Sequence, residues 1–170
     1  MSIAEAVLPE FDQEMASTRR LLERVPDAHK DWKPHPKSFS LGDLAIHICN
    51  LISWTGMTLE LTELDVNPPG GPPWTPPQFT TTAAALAMFD ENVKAARAAL
   101  AKTSDQEYMV DWTLKSGGKT VLTLPRVVCI RSFVMNHIIH HRGQLTVYLR
   151  LKDVPLPSIY GPSADDSGGM

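Results

Sequence analysis

The residues in this chain best suited to chemistry are His137 and His141, inside the run Asn136-His137-Ile138-Ile139-His140-His141-Arg142-Gly143-Gln144. A helix turns about 100° per residue, so side chains four apart stand on one face a turn apart. That spacing lets two imidazoles grip one metal ion. The pair is not sufficient alone: a stable mononuclear site needs a third ligand from another element, and histidines at this spacing also arise by chance.

His47 is the candidate third ligand. Leu44, His47, Leu51, Trp54 and Thr58 share one stripe of an earlier helical pattern, which puts an imidazole among residues that should point into the core. A lone histidine on an apolar face is usually a core residue satisfied by a neighbour, since burying imidazole requires a hydrogen-bond partner. Here His137 and His141 lie on the face that also carries Ile130, Val134, Leu145 and Tyr148. All three imidazoles are therefore expected to face inward, where they invite a shared cation.

Other chemistries find less support. Cys49 and Cys129 are too few for a disulfide framework and sit inside apolar helical patterns, as buried free thiols do. Gly118-Lys119-Thr120 lacks the earlier glycine of a phosphate-binding loop and runs on into strand-like residues. His29 and His35 fall in a proline-rich loop without a helical partner and are expected to be exposed.

The elements that must position the three histidines follow from periodicity. Phe11, Met15, Thr18, Leu22 and Val25 form an apolar stripe opposite Glu14, Arg19, Arg20 and Glu23, which predicts a first amphipathic helix ended by Pro26. Ser40 and Asp43 resemble a capping box that opens a second helix reaching about Leu61. Six prolines with Gly70 and Gly71 between Val66 and Gln78 exclude a helix or central strand there and predict a long irregular connection. Thr80 to Lys102, with Leu86, Phe89, Val93, Ala96 and Leu100 on one stripe, is the third helix. Tyr108–Leu114 and Thr120–Leu124 flank a glycine-containing turn and read as a short β-hairpin.

Pro125 suits the first turn of a fourth helix that reaches about Leu151. On its outer face Val128, Met135 and Ile139 accompany Arg131, Arg142 and Arg150, so that face is expected to be partly covered. A second subunit, the hairpin or the long connection would each do this. The closing Ser167-Gly168-Gly169-Met170 has the composition of a disordered end. The expected fold class is all-α: a four-helix bundle with a long Pro-rich connection between helices 2 and 3 and a short hairpin before helix 4.

The bulk numbers agree with one soluble domain spanning 1–170. A chain of 170 residues with 43% hydrophobic and 21% charged residues builds one full core. A net charge of -3 gives no electrostatic reason to expect nucleic acid. No apolar run approaches the roughly 20 residues that span a bilayer, and Glu5, Glu10 and Asp12 make the N-terminus unlike a signal peptide. The expected location is the cytoplasm, with no membrane partner.

The sequence resembles the DinB-like (YfiT-like) metalloenzyme family. The resemblance rests on Trp32-Lys33-Pro34, Leu44-Ala45-Ile46-His47-Ile48, His137-Ile138-Ile139-His140-His141-Arg142-Gly143-Gln144-Leu145, and the tail from Val154-Pro155-Leu156-Pro157 through Tyr160-Gly161-Pro162-Ser163-Ala164-Asp165. It spans nearly the whole chain, and only the Pro-rich Val66–Gln78 stretch offers no matching motif. The family implies a four-helix bundle with a three-histidine metal site, whose ligands fall here on His47, His137 and His141. His140 competes by spacing, but it stands about 60° from His137, away from Val134 and Leu145. The family's ligand is the histidine just before Arg-Gly-Gln, which is His141.

Three neutral nitrogens leave coordination positions open, the arrangement of catalytic rather than structural sites. Such a site suits zinc, nickel or iron. The resemblance implies an enzyme, a thiol-dependent S-transferase or relative that acts on a small-molecule substrate with a low-molecular-weight thiol such as bacillithiol or mycothiol. It also implies a homodimer. A non-catalytic metal-binding stress or scaffold protein and a metal-dependent hydrolase stand as the other readings. No catalytic residue beyond the ligands is identified.

Overall fold

Local capping chemistry sets where the helices begin. Ser2 accepts from the Glu5 backbone N–H while the Glu5 carboxylate accepts from the Ser2 N–H, and this reciprocal box opens α1 (Ile3–Leu22). Ser40 Oγ accepts from the Asp43 N–H at 3.1 Å and opens α2 (Leu41–Leu51). Thr81 does the same for α4 (Thr82–Lys102). The structure is a computed structural model that describes residues 1–72 and 74–167. Residues 168–170, part of the closing segment expected to be disordered, lie outside the described residues.

Two helix ends differ from expectation. α1 stops at Leu22 rather than at Pro26, because Arg24 and Val25 donate to the carbonyls of Leu21 and Leu22 and tighten the chain into a turn. The second helix breaks near Ser53 and resumes as α3 (Trp54–Glu60). Ser53 Oγ donates to the Asn50 carbonyl at 2.8 Å, a side-chain bond that competes with the backbone ladder.

After the short α5 (Asp105–Tyr108) and the strands described below, the last helix is composite. α6 (Arg126–Cys129) passes into a π-helical stretch, Ile130–Met135, and then α7 (Asn136–Arg150). Pro125 precedes it as the cap residue rather than occupying its first turn. α1 packs against α4 and α7, and α2 packs against the same two helices. Phe11, Leu44, Phe89 and Leu145, one from each of the four, are fully buried in the shared core. Each such side chain stabilises the fold by roughly 1.5–3 kcal/mol on leaving water. Among the described residues, no helix is long and apolar enough to cross a membrane.

The chain is mostly helical but not all-α. A three-stranded sheet, ordered β1 (Glu63–Asp65), β2 (Asp111–Ser116), β3 (Lys119–Pro125), packs against α6. The expected hairpin is there, with Trp112 opposite Leu124 and a Gly117-Gly118 turn in which both residues have positive φ. β1 was not anticipated. It pairs parallel with β2, Leu64 opposite Leu114, and the Asp65 carboxylate accepts from Gly117 N–H at 3.1 Å and Gly118 N–H at 2.7 Å. Tyr108 belongs to α5 instead of a strand; it is buried and its hydroxyl donates to the Leu100 carbonyl.

The outer face of the last helix also differs. Met135 and Arg142 are buried, Ile139 is half-buried and Val128 stays exposed. On that side lie α1, whose Glu10 pairs with Arg131 and whose Glu14 meets Arg142, and the C-terminal tail through Tyr160. Glu14 itself, expected on the solvent side of α1, is buried. The tail is held by its own bonds, the Asp165 carboxylate accepting from the Leu156 N–H and pairing with Arg150.

Candidate metal centre

α2 and α7 pack face to face, and that contact brings His47 of α2 against His137 and His141 of α7. Ring centroids lie 4.6 Å apart for His47–His141, 4.7 Å for His137–His141 and 5.2 Å for His47–His137. One nitrogen from each ring can be chosen so that all three lie within 4.8 Å of one another. Metal–nitrogen bonds of about 2.0–2.1 Å require spacings of roughly 3–4 Å, so ring rotations of about an ångström complete the set. His141 is buried, and His47 and His137 are half-buried. The donor set, three imidazoles without a charged ligand, fits a borderline divalent transition metal.

Electrostatics keeps these rings ready to donate lone pairs. Burial, with the neighbouring His141 and His137, lowers the His47 pKa to about 4. Burial likewise lowers His137, against a hydrogen bond to the Phe133 backbone, and lowers His141, against its bond to Gln144. All three shifts favour the neutral form that carries a free lone pair.

The second layer has a clear polarity. His141 Nδ1 and Gln144 Oε1 are 2.8 Å apart, and Gln144 Nε2 is 3.1 Å from His140 Nε2. Gln144 Oε1 can only accept, so His141 carries its proton on Nδ1 and leaves Nε2 free to ligate. His140 is exposed, and although its ring lies 4.9 Å from that of His141 it is not one of the three whose nitrogens converge. His29 and His35 are not among the converging rings; His35 Nδ1 accepts from the Lys37 N–H within its own loop. Burial raises the Cys49 thiol to about 12 and also raises Cys129, so neither is a ready nucleophile.

Two cavities open beside His47. One, of roughly 240 Å³, is bounded by Phe39, Asp43, Ile46 and Pro77; the other, of roughly 210 Å³, reaches His137 and is walled by Trp54, Trp74, Leu114 and Phe133. Asn50 and Pro76 border both. Leu51 and Trp54 share the helical stripe of His47, whereas Phe39, Asp43, Asn50 and Trp74 were not expected at the site. Asp43 and Asn50 stand four before and three after His47, so the helical spacing alone could have found them. Phe39, whose ring lies 5.5 Å from that of His47, and Trp74, from the Pro-rich stretch, carry no such signal.

Comparison with known proteins bears on the fold and the family. A crystal structure of a DinB-like protein from Bacillus cereus superposes with a TM-score of 0.72 at 22% identity, covering 94% of this chain and 98% of that one. A DinB-like protein from Bacillus subtilis, YjoA, gives 0.66 at 18% identity, covering 87% and 92%. At these identities the likeness is one of fold. No protein of curated function matches. The model of the DinB family matches residues 1–168, and the chain belongs to that family.

Proposed function

We propose that this chain is a metal-dependent enzyme, a single four-helix-bundle domain in which His47, His137 and His141 hold a divalent transition metal, zinc, nickel or iron. The observation that carries the reading is the convergence of three imidazole nitrogens within 4.8 Å, from two helices, beside cavities large enough for reactants. A metal held there supplies Lewis acidity that lowers the pKa of a thiol or water and makes a nucleophile at neutral pH.

The chain's own residues do the remaining work. Their lowered pKa values favour unprotonated imidazoles, and Gln144 fixes the tautomer and orientation of His141. The cavities leave room for a small-molecule electrophile and a low-molecular-weight thiol, the co-substrate that the family resemblance implies. In S-transfer the thiolate sulfur forms a bond to the electrophilic carbon, whose leaving group departs with the bonding pair. We assign the protein to the cytoplasm as a homodimer without a nucleic-acid or membrane partner.

One feature favours a second reading, metal-assisted hydrolysis: the Asp43 carboxylate borders the cavity beside His47 and could take a proton from water. Metal-loaded protein incubated with reduced thiols and a panel of electrophiles tests both. Thiol-dependent product that disappears on chelation supports S-transfer, and metal-dependent product without thiol supports hydrolysis. Metal binding without turnover of any substrate would overturn both in favour of a non-catalytic metal-binding protein.

A further inference from the structure

The two cavities at His47 differ in chemistry. The one that runs from His47 to His137 is walled by Trp54, Trp74, Phe133, Leu51 and Leu114, with Asn50 as its polar side chain apart from the histidines and indoles. No Asp, Glu, Lys or Arg is among its described lining residues, so a charged group held among the aromatic walls, away from the histidine ligands, would lose water without gaining a counterion. Its neighbour has a carboxylate, Asp43. A cavity of about 150 Å³ accommodates benzene, so roughly 210 Å³ suits a substituted or fused ring.

The walls come from separate elements. Trp54 opens α3 and packs against both hydrophobic clusters, which makes it a fixed wall. Phe133 belongs to the π-helical stretch one turn before His137, and local π-helical geometry of this kind often accompanies functional sites. Trp74 comes from the Pro-rich connection and is 47% exposed, large apolar surface that has no part in either core cluster. Three aromatic side chains in one lining favour a flat π-system over an aliphatic group of equal size.

We propose that the cavity between Trp54, Trp74 and Phe133 is a binding site for an uncharged aromatic group, and that this group belongs to the substrate whose reacting atom is presented to the three-histidine centre. The second half rests on the enzymatic reading above; the first half does not, because the aromatic walls are there with or without turnover. Trp74 is the residue that sets the preference for a ring. Trp74 lines the cavity yet is exposed and belongs to neither core cluster, so replacing it should leave the core intact.

The experiment is calorimetric titration of the metal-free protein, in which no bound cation offers an anion a counterion, with 1-naphthol, cyclohexanol and 1-naphthoate, with no thiol present. 1-Naphthol should bind at least about fivefold more tightly than either of the others. Trp74→Ala should lose about fivefold in affinity for 1-naphthol and Trp74→Phe should keep most of it, in line with the usual worth of an aromatic pair. Trp74→Ala should unfold at the same temperature as the parent, which separates a lost contact from a lost fold. Equal binding of 1-naphthol and cyclohexanol, stronger binding of the naphthoate anion, or undiminished binding by Trp74→Ala would each overturn the site. If 1-naphthol binds as expected while every electrophile stays unconverted, the aromatic site stands and the enzymatic reading falls.

Discussion

Arg142 of α7 is buried against Glu14 of α1, with Nη2 2.7 Å from Oε2, an ionic contact without the alignment of a hydrogen bond. The guanidinium also donates to the Glu14 carbonyl, to Thr18 Oγ1 and to the Tyr160 hydroxyl, which in turn donates to Glu14 Oε1. One ion pair therefore ties the first helix, the last helix and the tail together on the side of α7 away from His47.

Removing one partner of a buried pair strands the other charge without water. Glu14→Ala is expected to destabilise the fold by about 3–5 kcal/mol, and Tyr160→Phe by about 1 kcal/mol, in urea unfolding. A loss below about 1 kcal/mol for Glu14→Ala would show that Arg142 finds another partner or reaches solvent.

Gln144 is exposed, so its substitution should leave stability within about 0.5 kcal/mol. Its bond to His141 Nδ1 should nevertheless matter to metal affinity, because outer partners of ligating histidines are commonly worth 10–100-fold. Gln144→Leu is expected to weaken zinc binding by about that factor in a chelator competition. Unchanged affinity would mean that packing, not Gln144, orients the His141 ring.

The pKa shifts predict a pH dependence for the metal-free protein. His47 titrates near 4 when folded and near 6.5 when unfolded, so the unfolded chain binds more protons between these values. His137 and His141 shift in the same direction. Stability should be complete above about pH 6.5 and fall as the pH drops from 6.5 toward 4, above the range where most carboxylates titrate. Urea midpoints at pH 4.5, 5.5 and 7 measure it, and His47→Leu should flatten the slope. A midpoint independent of pH over that window would contradict the burial argument.

Much of this architecture was legible because its determinants are local. The Ser40 cap, the stripe through Leu44, His47 and Leu51, and the Gly117-Gly118 turn are each written within a few residues. The convergence of His47 with His137 and His141 followed from helical phase, since both faces are apolar and must meet. What was not legible depends on partners far along the chain. β1 is three residues long and exists only because β2, about 50 residues later, offers an edge. Glu14 and Arg142 have side chains that are usually solvated, and nothing near either one announces the other. Trp74 sits in a stretch without periodicity, so its position at a cavity wall is set by tertiary packing alone.

The central claim is that His47, His137 and His141 together hold a metal, and elemental analysis of untagged protein equilibrated with zinc, nickel or iron tests it most directly. About one metal ion per chain is expected for the parent and for His140→Ala, and His47→Ala and His141→Ala should lose it while remaining folded. Parent protein that retains none of these metals, or His140→Ala losing as much as His141→Ala, would contradict the account.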